Sequence, residues 1–139
     1  MRTQNAAVLF VDIVGLTAFA DARTPEEVVR ILREFHALMK QEVFRHNGTL
    51  DKYLGDGLMA TFGTPFVGKA DASNALSCAQ AMIAAADRWN NQRQTAGETP
   101  IRVSFGLHYG PVVLGDIGLT CLEFAVIGST VNAEAGSKP

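Results

Sequence analysis

The sequence predicts an α+β fold, a βαββαβ sandwich with further strands appended at its C-terminal end. Two observations predict it. Apolar runs bounded by glycines are typical of strands, and two long segments carry apolar residues at helical spacing. Their order is strand, helix, strand, strand, helix, strand. In such an arrangement the first and second strands run parallel, joined by a right-handed crossover, and the third strand lies antiparallel between them. The predicted architecture is therefore ferredoxin-like.

The first strand and the first long helix have clear sequence signals. Residues 6–13 are a continuous apolar run, typical of a strand covered on both faces, and Asp12 stands near its end. The helix begins after Thr24, which forms a capping box with Glu27. An apolar face at helical spacing continues to a stop at Asn47-Gly48. These features predict one strand followed by one amphipathic helix.

A hairpin and a second long helix follow. Residues 49–54 and 58–63 are predicted strands that flank Gly55-Asp56-Gly57, because an Asp-Gly pair between apolar runs is a strong hairpin signal. The helix is predicted from about Asp71 to Gln94.

The sequence pattern in the last part of the chain predicts mainly strands. Residues 101–110 and 111–118 are expected to form a hairpin that turns at Gly110-Pro111. Residues 122–128 read as one more short strand, with a helix entry after them. Residues 1–139 are expected to form a single domain. Because the strand pattern then breaks off, we expect the C-terminal part of that domain to be truncated or missing.

Composition bounds the class of protein. The chain has 139 residues, of which 47% are apolar and 19% charged, and its net charge is -2, which suits one soluble domain without a nucleic-acid partner. Cys78 and Cys121 are far apart, so neither a disulfide framework nor a zinc site is expected. The longest apolar runs are shorter than a membrane span. We expect a cytoplasmic domain, whose parent protein can carry a membrane anchor or a regulatory or sensor domain.

Two aspartates form the candidate site. The predicted strand order places Asp12, at the end of the first strand, beside Asp56, at the start of the third, although 44 positions separate them. Two neighbouring carboxylates repel each other unless a cation lies between them. Mg²⁺ is held by carboxylate oxygens together with substrate phosphates. Residues 14–17 begin a short helix whose free N–H groups offer a place for a polyphosphate, so a metal–nucleotide site is predicted.

Four segments carry a family resemblance. "FVDIVGLTAF", "DKYLGDGLMATFG", "GLHYGPVVLGDIG" and "EFAVIGSTVN" resemble, in order and spacing, the core motifs of the class III adenylate/guanylate cyclase catalytic domain. The resemblance covers roughly residues 6–135 and implies the nucleotide cyclase fold. It also implies a head-to-tail homodimer, with ATP, or GTP, converted into a cyclic nucleotide and pyrophosphate at the interface.

The resemblance assigns roles by position. Asp12, Asp56 and the Ile13 carbonyl match the family's ligands for two divalent ions, Mg²⁺ or Mn²⁺. Lys52 matches its lysine that contacts the purine base, and Asn132 its catalytic asparagine that orients the ribose. The residues expected beside the triphosphate are Val14, Gly15, Leu16 and Thr17; the Thr17 hydroxyl either binds phosphate or stabilises the first helical turn.

Two positions depart from the family pattern. Ala125 stands where the family has a second base-reading residue, and a methyl group cannot make the hydrogen bond that rejects a wrong base. Gly136 stands where the family has its transition-state arginine. The fragment is therefore expected to be inactive alone. A non-catalytic, nucleotide-binding regulatory module is the alternative, and a diguanylate-cyclase or palm-type enzyme is another.

The histidines show no ligand spacing. His36 and His46 lie ten residues apart on one helix, and His108 is isolated. We expect structural or surface roles for all three.

Overall fold

A computed structural model describes residues 2–115 and 118–121 of the chain. Five strands and three helices follow one another in the order β1 (Arg2–Ile13), α1 (Leu16–Asp21), α2 (Pro25–Arg45), β2 (Thr49–Leu54), β3 (Gly57–Phe62), α3 (Asp71–Thr95), β4 (Val103–Gly115) and β5 (Gly118–Cys121). The predicted βαββαβ order is confirmed, with α1 as a short addition after β1.

The strands form one antiparallel sheet in the order β2-β3-β1-β4-β5. β3 is antiparallel to both β1 and β2, so it lies between them as predicted. Val11 near the end of β1 pairs with Leu58 near the start of β3. The carboxyl end of β1 therefore meets the amino end of β3 at one edge of the sheet.

β1 runs through the centre of the core. Ala6, Ala7, Val8 and Leu9 have no exposed surface, which confirms a strand covered on both faces. From Ala6 onward, the odd-numbered residues of β1 join the main core with α2 and α3, whereas Ala6, Val8 and Phe10 join a smaller apolar cluster on the opposite face. This alternation follows from the period of two in a strand.

Local signals set the bounds of α2. The Thr24 hydroxyl accepts the Glu27 N–H, and the Glu27 carboxylate accepts the Thr24 N–H, so the predicted capping box is present. At the other end Asn47 has a φ of 64°, the left-handed conformation that stops a helix. Phe35 and Met39 are buried against the sheet, which fixes the face of α2 that points inward.

One prediction is wrong. Gly110-Pro111 does not turn; both residues lie inside β4, paired with Ala6 and Asn5 of β1. A proline lacks an N–H and suits a strand position that needs no ladder donor. Among the described residues, β5 pairs with Val112 to Gly115 of β4. β4 continues to Gly115, and the hairpin partner is β5.

The predicted strand over 122–128 and the helix entry after it lie outside the described residues. In the part that the structure describes, no helix has the length and apolar character needed to cross a membrane.

Candidate metal and nucleotide site

Asp12 is the second-last residue of β1, just before the chain changes direction. Its neighbour Ile13 is buried in the main core, whereas Asp12 itself is exposed. By strand alternation Asp12 shares a face with Phe10, the face of the sheet that turns away from α2 and α3. The apolar core thus anchors the strand while the carboxylate stays accessible.

Asp56 lies in the two-residue turn between β2 and β3, where Leu54 pairs with Gly57. Gly57 backs directly onto β1: a Cβ built on it would lie 3.0 Å from the Asp12 Cα and closer still to the Val11 carbonyl oxygen. A side chain at position 57 would therefore push the two strand ends apart. Glycine here lets the turn that carries Asp56 approach Asp12.

The environment of Asp12 disfavours its ionised carboxylate. Partial desolvation raises the pKa of Asp12 above its ordinary value of 3.8; the charge of Asp56 raises it further, and the Ile13 backbone N–H lowers it. Asp12 is nevertheless accessible to water, which screens such charges. Proximity of the two acids favours a cation between them.

These two acids do not form a complete metal cage. Among the described residues, no group of three or more His, Cys, Asp or Glu side chains is placed to hold a metal ion. Mg²⁺ commonly takes only one or two protein carboxylates and completes its shell with waters and substrate phosphates. Asp12 and Asp56, with the Ile13 carbonyl, fit that kind of site.

Lys52 lies on β2, an edge strand of the described sheet, and its side chain is 49% exposed. The register shifts between Leu50 and Lys52, which pair with Ala60 and Met59. Leu50 therefore packs against the main core, while Lys52 shares the opposite face with Met59. This β-bulge at Asp51 places Lys52 on the same face of the sheet as Asp12.

The segment after Asp12 leads into α1. The Val14 N–H donates to the Arg102 carbonyl at 2.9 Å, which ties the segment to the start of β4. Gly15 has a φ of 72° and precedes the first residue of the helix, Leu16. Val14, Gly15 and Thr17 are exposed, and Leu16 is partly buried against the core. The segment predicted to lie beside the triphosphate is therefore accessible.

The cleft at Asp12 is small. A cleft of about 100 Å³ lies between the ends of β1 and β3, lined by Phe10, Val11, Asp12, Leu54, Gly57 and Leu58. Nucleotide-sized ligands fill pockets of roughly 300–1,000 Å³. A larger cavity of about 600 Å³ lies on the outer side of α2, lined by residues between Pro25 and Glu34, none of which carries a predicted role. The two neighbouring carboxylates, and not the size of a cavity, therefore identify this candidate site.

His36 contacts the backbone of Asp56, a contact that no sequence pattern predicted. Its Nε2 lies 2.9 Å from the carbonyl oxygen of Asp56. The pattern of ligand spacing could not reveal this contact, because it joins a helix and a turn 20 residues apart. Ala125, Asn132 and Gly136 lie outside the described residues, so their placement stays a prediction.

Comparison with known proteins decides the family. The family model for the adenylate and guanylate cyclase catalytic domain matches residues 1–136. This chain belongs to that family. Adenylate cyclase 1 of Rhizobium meliloti (strain 1021) is 32% identical over 130 residues, which cover 93% of this chain and 20% of that protein. The adenylate cyclase of Anabaena cylindrica is 38% identical over 135 residues, which cover 94% of this chain and 26% of that protein.

Solved cyclase structures share the fold. The adenylyl cyclase CyaB from P. aeruginosa superposes with a TM-score of 0.81 at 25% identity, covering 97% of this chain and 76% of that one. The guanylyl cyclase Cya2 gives a TM-score of 0.77 at 32% identity, covering 84% of this chain and 59% of that one. This chain spans about a fifth to a quarter of the length of these two curated relatives.

Proposed function

We propose that this domain, as part of its full-length protein, converts ATP into 3′,5′-cyclic AMP and pyrophosphate in a homodimer. The single observation that carries the proposal is the meeting of Asp12 and Asp56 at one edge of the sheet, where the turn that carries Asp56 packs against the end of β1. The two curated relatives named above, both called adenylate cyclases, support ATP as the substrate.

Asp12, Asp56 and the Ile13 carbonyl would hold the divalent ions, Mg²⁺ or Mn²⁺. When bound, such ions lower the pKa of the attacking ribose 3′ hydroxyl and offset the charge of the triphosphate. The exposed segment from Val14 to Thr17 adjoins Asp12 and would contact the triphosphate. The protein's own part is to keep two acids adjacent on a rigid strand end and a tight turn.

The substrate base would be read from β2. Lys52 is exposed and free to reach a ligand, because its ion pair with Asp51, at 3.8 Å, is solvent-accessible and weak. Ala125 leaves no side-chain hydrogen bond at the family's second base position, so selectivity rests on Lys52 and on backbone groups. Asn132 would orient the ribose. Discrimination between ATP and GTP is therefore expected to be modest.

Two features support a site shared between subunits. The cleft at Asp12 is too small to enclose a nucleotide, so one subunit supplies only part of the walls. Large apolar side chains stand exposed next to the site: Val14 at 40%, Tyr53 at 48% and Leu54 at 43%. In the proposed homodimer, one subunit gives the two aspartates and its partner gives Lys52 and Asn132.

The first experiment measures product. The full-length protein is incubated with ATP or GTP and Mg²⁺ or Mn²⁺, and cyclic nucleotide is quantified. Asp12→Ala and Asp56→Ala should each abolish the product. Asp87→Ala is the matched control, since Asp87 is an exposed carboxylate on α3 and should be dispensable. Product from either site variant would refute the proposed role of the pair.

The second experiment tests the shared site by mixing two inactive variants. A dimer of one Asp12→Ala chain and one Lys52→Ala chain contains one intact site, so activity should reappear on mixing. Neither variant should recover when mixed with itself. Failure of the mixed pair to recover, with heterodimers shown to form, would contradict the division of residues between subunits.

A regulatory module is the second candidate, favoured by Ala125 and Gly136 at two positions that the family uses for catalysis. It predicts metal-dependent ATP binding without any cyclic product, even in the full-length protein. The same product assay, run beside an ATP-binding measurement, separates the two. An arginine encoded shortly after Asn132 in the parent protein would favour the enzyme.

A further inference from the structure

The turn that carries Asp56 projects from the sheet. Lys52, Tyr53 and Leu54, which lead into it, are all exposed. Gly55 is also exposed, with a φ of 57°, and within the described part of the chain a Cβ on it would meet no atom within 4 Å. Side-chain packing at the tip is therefore sparse. A turn of this kind is mobile unless something else holds it.

Two contacts hold this turn from opposite sides. On one side Gly57 lies against Val11 and Asp12 of β1. On the other side the Nε2 of His36 donates to the Asp56 carbonyl at 2.9 Å. His36 belongs to α2, which packs on the face of the sheet opposite to that of Asp12. The backbone of Asp56 is thus fixed between a strand and a helix.

The His36 ring is itself held in place. It lies 4.8 Å from the Tyr53 ring and 5.6 Å from the Phe35 ring, centroid to centroid, and it is partly buried. Because a carbonyl only accepts, the Nε2 carries the proton, which holds for the neutral Nε2–H tautomer and for the imidazolium alike. The contact does not depend on a change of charge.

We propose that His36 is a positioning residue, which locks the turn so that the Asp56 carboxylate stays beside Asp12, ready for a divalent cation. The metal role rests on the proposed function; the anchoring of the turn does not. Partners that orient a metal ligand without touching the metal typically change affinity about 10- to 100-fold when removed.

Two substitutions of His36 separate its hydrogen bond from its packing. His36→Phe keeps a ring against Tyr53 and Phe35 and removes the donor, whereas His36→Gln removes the ring and retains an amide donor near the Nε2 position. The control is His46→Phe, on the same helix, whose Nδ1 contacts the Glu42 carbonyl at 2.8 Å, away from the turn.

Two readouts are taken on the full-length protein. Hydrogen exchange of a peptide spanning residues 52–58 reports the turn itself, and the Mn²⁺ concentration that half-saturates the rise in unfolding temperature reports metal binding. His36→Phe should speed exchange of this peptide and weaken Mn²⁺ binding by about tenfold. His36→Gln should stay within about threefold of the unchanged protein, and His46→Phe should alter neither readout.

The outcomes are distinguishable. Unchanged exchange in His36→Phe, or equal losses in His36→Phe and His36→Gln, would overturn the anchoring role. Faster exchange with unchanged Mn²⁺ binding would overturn the positioning role. A lack of any Mn²⁺ response in the unchanged protein, with Asp12→Ala behaving identically, would instead refute the proposed function, and exchange would still decide whether His36 anchors the turn.

Discussion

Adding one methyl group at Gly57 should disable the site without touching a carboxylate. An ideal Cβ at this position would lie 3.0 Å from the Asp12 Cα and 3.1 Å from the Val11 carbonyl carbon, with the carbonyl oxygen closer still. Carbon atoms normally pack at about 3.5–4.0 Å, and the contact to the Val11 carbonyl oxygen is tighter than either carbon contact, so the strand ends must separate by about 1 Å or more. The obstacle is backbone inside a paired sheet, which cannot rotate away.

The consequence for turnover follows from that displacement. A misplacement of about 1 Å between reacting groups costs on the order of 100-fold in rate. Overpacking of this kind also destabilises a fold by about 1–3 kcal/mol. Gly57→Ala should therefore retain a folded domain with a lowered unfolding temperature, while cyclic-nucleotide formation falls by roughly two orders of magnitude.

The assay compares cyclic product at saturating Mn²⁺ and ATP, well below the unfolding temperature of each variant. Gly55→Asn is the matched control in the same turn: its surroundings are open, and asparagine tolerates the left-handed conformation that a φ of 57° requires. It should stay within about twofold of the unchanged protein. Unaltered turnover in Gly57→Ala would refute the claim that close approach of turn and strand makes the site.

Three further predictions concern charge and stability. The raised pKa of Asp12 means that the folded state disfavours its ionised carboxylate, so Asp12→Asn should raise the metal-free unfolding temperature at pH 7. That gain should shrink as pH falls toward 3.8, and Mg²⁺ should stabilise only the unchanged protein. Burial, and then the charge of Glu42, raises the pKa of the Cys78 thiol to about 12. Alkylation of this thiol at pH 8 should therefore be far slower in the folded than in the unfolded protein, and stability should fall as pH rises above 9.0. Asn90→Leu should cost about 1–3 kcal/mol in urea unfolding, because Asn90 both donates to the Ile101 carbonyl at 2.7 Å and accepts its N–H at 2.6 Å.

Local chemistry made much of the fold predictable. The Thr24–Glu27 capping box and the Asn47 stop act within a few residues, so α2 could be placed from the sequence. The meeting of Asp12 and Asp56 followed from strand order, which the two crossover helices dictate. In each case the deciding interactions repeat a known local or topological rule.

Other features depend on contacts that leave no local pattern. Gly110-Pro111 has the composition of a turn, yet twelve residue pairs with β1, from Arg2–Leu114 to Ile13–Val103, keep β4 straight through it. The bulge at Asp51, which puts Leu50 and Lys52 on opposite faces, is visible only in the register. His36 reaches the Asp56 carbonyl across 20 residues, so spacing rules for ligands could not find it.

The same geometry explains why the site needs so much support from its neighbours. Partial desolvation, and then the charge of Asp56, raises the pKa of Asp12, so the arrangement works against the stability of the metal-free protein. A loosely held turn would relieve that repulsion by moving away. The buried core of β1, the missing side chain at Gly57 and the donor at His36 all oppose such movement. In the proposed function, a divalent cation bound between the two acids would relieve this repulsion, so the same supports that keep the acids together would favour cation binding.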